Sequence, residues 1–527
     1  MNTFRKYLIG LAVLAASVLS ISLASAQTTL VVAAQKTPNG IDHDYHFSAE
    51  DHQIRAALYD KLLALGRVAG PGGLTLPSYD HADLEGRLAE SWSLSDDGKT
   101  LTIKLREGVM SHAGNELTAD DLQWTWDRSW ALEAVGAFYA KFILNIEEPT
   151  WRVIDRYTWE LSTHDVNAMT VLLMINNDLD VLDAAEVMKH ATDDDPWATG
   201  WLASNAAGHG AYSLAEWTPG ERVVLNAFEG YHRGKPEIDT VIYREVPEAA
   251  NRLALVTEGS AHVAESLPPR FLDRASETDG LVIWQTIGNR LMRLDVNNEM
   301  APTNDPRVRK ALNYATPSSQ ILEAVFFGLA EPSRGPMPSQ YPGATDEFWV
   351  YDYDPDMARS LLEEAGAIGA ELTINFDSGS PVQRNTAVIL KSAYEDVGLK
   401  VNLMEMSSAA YTSQLYGGEF PAFFMIEFPI LPDPGYALAL NYPCGSFLNA
   451  ANYCNTRVDE LLEQAAATLD QTERMEMYRE IQRLMTVEDA NSVWLAEPGW
   501  QLVTGGNVSG VGWDTPNIYQ FFDLSLQ

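Results

Sequence analysis

Hydrophobic and polar positions alternate along the chain in patterns typical of short strands and amphipathic helices. The apolar run 28–34, TTLVVAA, predicts a buried strand. Beyond a polar loop, Ile54, Leu58 and Leu62 recur at helical spacing, and Ser48 followed by Asp51 has the pattern of a capping box. The first part of the chain therefore predicts a strand, a loop and a capped helix.

The next segment, 91–108, contains a DDG turn followed by alternating apolar and polar residues, which predicts a half-buried β-hairpin. Thr118 with Asp121 then predicts the start of a helix on which Leu122, Trp126 and Trp130 share one face. Because such a face usually packs against a core, we interpret the two tryptophans as core residues.

The pattern changes after residue 300. The segments NDPRVRKALNYA and YDPDMARSLLEEAG each begin with Asp-Pro, which fixes the first turn of a helix. The strand-like runs ELTINF, VNLMEM and AFFMIEF are separated by helices, so this half predicts an α/β lobe. Two further predicted helices, near 455–467 and 470–486, precede a final predicted strand over 492–503.

The length sets the number of folding units. A chain of 527 residues that is 46% hydrophobic is too long for one compact domain, so we expect two or three lobes. The sequence shows no internal repeat and no low-complexity linker, which indicates that strands join the lobes.

The first 26 residues have the pattern of a secretory signal peptide. Arg5 and Lys6 precede an apolar stretch that ends in Ala24-Ser25-Ala26, and we expect cleavage before Gln27. The alternative is that residues 7–24 remain as a membrane anchor. No later segment approaches the roughly 18 apolar residues that span a bilayer. Because position 27 is not a cysteine, lipid attachment is not expected, and the predicted location is the periplasm.

The formal net charge is −37 at pH 7. Nucleic acid and anionic membrane surfaces are bound by clustered Lys and Arg, so this charge argues against both as partners. Cys444 and Cys454, the two cysteines, lie ten positions apart in a loop-like segment of an exported chain. They predict a local disulfide, with two free thiols as the alternative.

Familiar catalytic and nucleotide-binding spacings are absent from the sequence, including GxSxG, HExxH, GxxxxGK[ST] and GxGxxG. His43, His46 and His52 lie close together among acidic residues. Their spacing crosses from a loop into a helix start, so no metal site is assigned to them. We expect neither a cofactor nor a catalytic residue.

Four segments follow one another in an order typical of one protein family. Residues 84–128 are similar to a succession LAESW, DG, LR-x-G-V-x-x-H-x-G and LTA-x-D, and residues 208–246 to G-T-G-P-Y, W-x-P-G-E and Y-W-x-G-K-P. The two Asp-Pro helices resemble D-V-R-V-R-x-A-L and Y-D-P-x-x-A-x-x-L-L-x-x-A-G. Together these segments resemble the large solute-binding proteins of ABC importers, extracellular family 5, which includes oligopeptide, dipeptide and nickel binders.

The resemblance implies an α/β periplasmic binding protein-like fold of class II, cluster C. This fold is a two-lobed clamshell with an extra subdomain in the first lobe. It implies a monomeric receptor that encloses a small molecule or peptide between its lobes and delivers it to the membrane permease subunits. The implied division is a lobe I core of residues 27–70, 203–285 and 495–527, an extra subdomain of 71–202, and a lobe II of 286–494.

In peptide binders of this family, a segment resembling G-W-x-A-D-Y-x-D-P lies at the cleft, and its first Asp pairs with the α-amino group of the ligand. Aligned on Asp433-Pro434, the present chain has Ile430 at the Asp position and Glu427 at the Trp position. The usual amine anchor is therefore missing. The ligand-binding residues that the resemblance implies are Glu427, Ile430, Tyr45, His46, Phe47, Ser48, Glu265, Arg293 and His209.

Two carboxylates, Glu427 and Glu265, together with aromatic rings would suit a cationic headgroup, by charge pairing and by cation–π contact. The alternative is that Glu427 pairs with Arg290 or Arg293 of its own chain. For His209, the alternative is a packed histidine.

The cargo itself stays open at this stage. Peptide, amino-acid derivative, opine, sugar or oligosaccharide, and nickel or another metal chelate are all compatible with one scaffold. An exported hydrolase is the rival from another functional class, and it would need a nucleophile beside a base in the cleft.

Overall fold

The structure is a computed structural model that describes residues 27–527. The predicted signal peptide, with its cleavage site before Gln27, lies outside the described residues.

The elements follow the α/β order that the sequence indicates. The strands are β1 (Thr29–Ala34), β2 (Leu63–Leu65), β3 (Arg67–Ala69), β4 (Thr75–Pro77), β5 (Leu84–Gly86), β6 (Ala89–Leu94), β7 (Thr100–Leu105), β8 (Trp151–Asp155), β9 (Thr158–Ser162), β10 (Tyr212–Thr218), β11 (Arg222–Ala227), β12 (Thr240–Glu245), β13 (Val263–Ala264), β14 (Leu281–Ile287), β15 (Leu291–Val296), β16 (Ala330–Glu331), β17 (Glu371–Asp377), β18 (Lys400–Met406), β19 (Ala422–Glu427), β20 (Ser492–Gly505), β21 (Val508–Ser509) and β22 (Ser525–Leu526). The α-helices are α1 (Ala49–Leu58), α2 (Ala119–Ala131), α3 (Val135–Phe142), α4 (Met169–Leu172), α5 (Ala184–Val187), α6 (Thr199–Leu202), α7 (Ala249–Thr257), α8 (Pro269–Ser276), α9 (Pro306–Tyr314), α10 (Ser318–Ala324), α11 (Pro355–Glu364), α12 (Pro381–Asp396), α13 (Ser408–Leu415), α14 (Pro434–Asn441), α15 (Thr456–Ala466) and α16 (Gln471–Arg483).

Local signals in the sequence place several of these elements. Ser48 and Asp51 form the predicted capping box of α1, with the backbone N–H of Ser48 donating to Asp51 Oδ2 at 2.7 Å. The backbone N–H of Thr118 donates to Asp121 Oδ2 at 2.8 Å at the start of α2. Asp305 caps the first of the two Asp-Pro helices. These caps are confirmed because each satisfies N–H groups that the first helical turn leaves free.

One large sheet runs through both lobes, and β20 belongs to each of them. The strand order is β10-β11-β12-β1-β13-β20-β15-β19-β17-β18. The first part of β20 pairs with β15, from Ser492 to Ala496, and its last part pairs with β14, from Gly499 to Gly505. The strand therefore starts in lobe II and ends in lobe I.

The extra subdomain is built on a second antiparallel sheet, of order β6-β7-β9-β8. Its apolar core contains Trp126, Trp159 and Leu161, each at most 3% exposed. Leu62, Leu63 and Leu65 pack in this core, whereas Leu74, Leu182 and Leu202 pack in the core of lobe I. The chain thus contributes to the subdomain core before it returns to the lobe I core at Leu74, enters the subdomain core again at Leu88 and is back in the lobe I core at Leu182.

The two cysteines form the predicted disulfide. Cys444 and Cys454 are bonded, with their Cα atoms 4.5 Å apart. The bond closes a short loop after α14 in lobe II. Among residues 27–527, every helix is too short or too polar to cross a bilayer.

A buried ion pair in lobe II gives a stability prediction. Arg474 donates from Nη1 and Nη2 to the two carboxylate oxygens of Asp433, at 3.0 and 2.9 Å, and both side chains are 0% exposed. Because Arg474→Met leaves the Asp433 carboxylate buried without its partner, we expect a loss of roughly 3–5 kcal/mol in the free energy of unfolding. Urea denaturation followed by tryptophan fluorescence measures it.

The matched control is Arg457→Met. Arg457 pairs with Glu460 at 2.8 Å, but both side chains are more than half exposed, so its removal should change the free energy of unfolding by less than about 1 kcal/mol. Equal losses in the two variants would contradict the importance given to burial of the Asp433–Arg474 pair.

Candidate functional site

The two lobes are joined by two strand crossings that lie side by side. The first is the segment 288–290 between β14 and β15, and the second is the middle of β20. Asn289 lies at the junction: its Oδ1 accepts from Asn517 Nδ2 at 2.9 Å, and its Nδ2 donates to the carbonyl oxygen of Pro429. One side chain thus contacts a lobe I segment and a lobe II loop at the floor of the cleft between them.

The lobes are closed over this floor, because the extra subdomain contacts lobe II. The backbone N–H of Ala168 donates to the carbonyl oxygen of Ala466 at 2.8 Å. His81 Nε2 lies 3.2 Å from the carbonyl oxygen of Pro432. Ile430 is 9% exposed and packs in the apolar core of the extra subdomain. The predicted cleft residue Ile430 is therefore part of the contact that holds the two halves together.

Aromatic rings extend this contact at the rim. Phe447, inside the disulfide-closed loop, lies 5.4 Å from Phe142 of α3, measured between ring centroids. Tyr436 of α14 lies 6.4 Å from Tyr139 in the same way. Both distances are within the range at which aromatic pairs attract one another.

Glu427, at the end of β19, is compensated within lobe II. Arg293 Nη1 donates to Glu427 Oε2 at 2.5 Å, and Asn441 Nδ2 donates to Oε1 at 2.9 Å. Arg293 also donates from Nε to Asp295 at 2.8 Å. Burial raises the pKa of Glu427 and Arg293 opposes that rise. At this separation the two groups form an ion pair, so the carboxylate has no unmatched charge to offer to a cationic headgroup.

Glu265 follows β13 on the lobe I side. It accepts hydrogen bonds from the hydroxyl groups of Tyr243 at 2.5 Å and of Tyr519 at 2.6 Å. Burial raises the pKa of Glu265 to about 7, against the opposing effect of these two hydrogen bonds. Glu265 is thus a hydrogen-bonded carboxyl that is partly protonated at neutral pH, and a weak counter-charge for a cation.

The loop before α1 presents two aromatic side chains. Tyr45 is 42% exposed and Phe47 is 41% exposed. Two residues of α2 hold the loop in place: Arg128 donates to Asp42 at 2.6 Å, and Ser129 donates to Asp44 at 2.5 Å. Two other residues of this loop were predicted to bind ligand. His46, which stands between Tyr45 and Phe47 in the sequence, is partly buried. The side chain of Ser48 is occupied as the cap of α1.

His209 is placed in the packed interior of lobe I. It is 1% exposed, and its Nδ1 lies 3.4 Å from the carbonyl oxygen of Val181. Burial lowers its pKa to about 4. This environment is that of the packed histidine that was the alternative for this residue.

The histidines of the segment 43–52 face different partners. His52 Nε2 lies 2.9 Å from Asp178 Oδ1, and His43 is buried beside Asp44. Within residues 27–527, no group of three or more His, Cys, Asp or Glu side chains has the arrangement of a metal site.

Arg290, the other arginine that the sequence offered to Glu427, has a different environment. It lies between Asn289 and the first residue of β15 and is partly exposed. Its guanidinium has no hydrogen-bond acceptor and no carboxylate within 4 Å among residues 27–527, and burial lowers its pKa. Sequence reasoning named Arg290 but could not distinguish it from Arg293, because both occur in one short segment, GNRLMRLDVNN.

The pKa of Glu265 gives a pH prediction. Folding raises it from 4.5 to about 7, so its contribution to stability is complete below pH 4.5 and is lost as the pH rises through 7. In Glu265→Gln the side chain stays neutral. When the pH rises from 5 to 8, the free energy of unfolding should therefore fall by about 2 kcal/mol more in the wild type than in the variant.

Urea denaturation at the two pH values measures this difference, and the Glu265→Gln variant, in which residue 265 does not titrate, supplies the effect of all other groups. Glu258→Gln, at an exposed position of lobe I, is the control and should follow the wild-type profile. A Glu265→Gln profile that parallels the wild type would contradict the assignment.

Comparison with known proteins agrees with this architecture. A family model described as bacterial extracellular solute-binding proteins, family 5 Middle, matches residues 83–449. The probable D,D-dipeptide-binding periplasmic protein DdpA of Escherichia coli (strain K12) is 26% identical over 501 residues, which cover 94% of this chain and 93% of that protein. The dipeptide-binding protein of the same strain is 27% identical over 423 residues, which cover 76% of this chain and 78% of that protein.

A solved structure has the same fold. The ABC transporter substrate-binding protein CtaP from Listeria monocytogenes superposes with a TM-score of 0.84 at 22% identity, over 95% of this chain and 99% of that one. The family match spans more than half of the sequence, and the two-lobed α/β fold with its extra subdomain is the one that the structure shows. The chain belongs to the bacterial extracellular solute-binding proteins of family 5.

Proposed function

We propose that this protein is the exported substrate-binding component of an ABC importer, and that it encloses a small peptide or peptide-like solute between its lobes. The observation that carries the proposal is the closed cleft over a floor of two adjacent strand crossings. A hinge of two strands permits the lobes to rotate, and a solute that contacts both lobes favours the closed form by its differential affinity. The closed surface is then available to the membrane permease.

The relatives support a peptide-like cargo. Two of them are named as binders of dipeptides, one of D,D-dipeptides and one of dipeptides in general, and the first aligns over nearly the whole of both chains. A cationic amine compound at Glu427, the hypothesis from the sequence, has less support, because Arg293 already compensates that carboxylate. We further propose a periplasmic monomer, released by cleavage before Gln27.

Small-angle X-ray scattering tests the closing motion. The protein is purified from a periplasmic extract, unfolded in guanidinium chloride to release its cargo, refolded and dialysed. Because cargo favours the closed form, we expect the radius of gyration to decrease when the released cargo is added back. The same cargo should be recovered with its mass unchanged, since a binding protein does not cleave it. Identical scattering with and without cargo, or recovery of cleaved cargo, would contradict the proposal.

The rim contact of Phe447 predicts a weaker closed form in Phe447→Ala. The variant loses the ring that meets Phe142 at 5.4 Å, a contact worth about 0.5–1.5 kcal/mol. Because only the closed form has this contact, the affinity for the cargo should fall about twofold to tenfold. Isothermal titration of the stripped protein with released cargo measures it.

Tyr353→Ala is the control for the loss of an exposed aromatic ring in lobe II. Tyr353 is 56% exposed, like Phe447 at 55%, and it has no aromatic partner among residues 27–527. Its substitution should leave the affinity for cargo unchanged. A Phe447→Ala variant that matches this control would show that the rim contact does not contribute to closure.

A further inference from the structure

We propose that Asp178, a buried residue of the extra subdomain, is a positioning residue of the ligand site: it fixes the cleft loop 43–48 through two side chains of α1, Arg55 and His52. The inference rests on the proposed function and deepens it. Asp178 is 2% exposed, so it acts on the site through the loop and does not itself contact the ligand.

Both ends of the loop are held by α1. Arg55 Nη1 donates to the backbone carbonyl oxygen of His43 at 2.9 Å. His52 Nδ1 lies 2.9 Å from the backbone carbonyl oxygen of Ser48. A carbonyl oxygen only accepts hydrogen bonds, so this ring nitrogen is the donor. The position of the loop therefore depends on how the side chains of Arg55 and His52 are oriented.

These two side chains converge on one oxygen of Asp178. Arg55 Nη2 donates to Asp178 Oδ1 at 2.7 Å, and His52 Nε2 lies 2.9 Å from the same oxygen. All three side chains are at most 3% exposed. Burial raises the pKa of Asp178, but His52, Arg55 and Tyr139 outweigh that effect and hold the pKa below its usual range. The carboxylate is thus ionised at neutral pH, and it orients both side chains that hold the loop.

Arg55 also supports an aromatic ring of the loop. Its guanidinium carbon lies 5.9 Å from the centroid of the Phe47 ring, within the range of a cation–π contact. Phe47 is 41% exposed, so the part of the ring that faces away from Arg55 is available to an apolar or aromatic group of the cargo. A ring that is held in place before binding loses less conformational entropy when the ligand arrives.

The second oxygen of Asp178 is bound to the contact between the two halves of the protein. Tyr139 donates from its hydroxyl group to Asp178 Oδ2 at 2.7 Å. The ring of Tyr139 is the one that lies 6.4 Å from Tyr436 of lobe II. Asp178 therefore lies between the cleft loop and a contact that the closed form makes, and it holds residues of both.

The test places a nitroxide spin label on Phe47→Cys and measures its mobility by electron paramagnetic resonance. Cys444 and Cys454 are bonded to each other, so the introduced thiol is the single labelling site. Asp42 and Asp44 are held separately by α2, and for that reason the label is placed further along the loop.

Asp178→Asn keeps the shape of the side chain but removes its charge. We expect the rotational correlation time of the label to fall about threefold or more in this variant, because Arg55 and His52 lose the group that orients them. His52→Gln is the milder second variant. It keeps the pair of Asp178 with Arg55, and since a single amide cannot bridge Ser48 and Asp178, we expect a smaller fall in the same direction.

Arg474→Met is the matched control, because it also breaks a buried ion pair but in lobe II. It should lower stability and leave the mobility of the label at position 47 unchanged. A label at Tyr353→Cys, which is exposed in lobe II, should be unaffected by Asp178→Asn. Circular dichroism and thermal unfolding should show that each variant folds.

The unlabelled protein tests the effect on binding. Stripped wild type, Asp178→Asn and the exposed control Glu258→Gln are mixed with a pool of free dipeptides and tripeptides and passed through an ultrafiltration membrane, and the retained peptides are measured by mass spectrometry. A loop that is in place for only part of the time reduces the apparent affinity by that fraction, so Asp178→Asn should retain about threefold less peptide or lower still. Glu258→Gln should match the wild type.

Two results would overturn the inference and leave a peptide-binding function intact. One is a label that is as immobile in Asp178→Asn and His52→Gln as without these substitutions. The other is full peptide retention by Asp178→Asn. If the wild type itself retains no peptide, the peptide-like cargo is wrong, and the label alone then decides whether Asp178 fixes the loop.

Discussion

The structure depends on one strand that is shared by two folding units. Strand β20 completes the lobe II sheet with its first residues and the lobe I sheet with its last ones. Because hydrogen bonds hold β20 in the sheet of each lobe, the strand fixes where the two lobes meet. The two adjacent crossings still leave one axis about which the lobes can rotate. The floor of the cleft is therefore held by hydrogen bonds to a segment of lobe I and to a loop of lobe II.

This construction limits how charge is compensated. Each lobe has to remain folded when the cleft is open, so the buried charges of a lobe need partners in that lobe. Asp433 with Arg474 and Glu427 with Arg293 meet this condition in lobe II. Within lobe I and its subdomain, Asp42 and Arg128 do the same.

The contacts between the subdomain and lobe II bear on how much binding energy the ligand must supply. Moving a two-state equilibrium from one extreme to the other needs about 5.5 kcal/mol of differential affinity. The backbone hydrogen bond between Ala168 and Ala466, the burial of Ile430 and the rings of Phe447 and Phe142 all favour the closed form. They reduce the part that the ligand has to contribute, and so a small solute suffices to close a large protein.

The sequence by itself determined the features that depend on neighbouring residues. The caps at Ser48 and Thr118, the helices that begin with Asp-Pro, the order of strands and helices, and the disulfide of Cys444 and Cys454 all follow from groups a few positions apart. Only the tertiary structure decided the partner of Glu427, which is 134 positions away at Arg293 rather than at Arg290, and the burial of Ile430 in the subdomain core. Both depend on which strands become neighbours and on how the lobes close. Residue type and local spacing do not contain that information, because contacts of such long range are set by the packing of the whole chain.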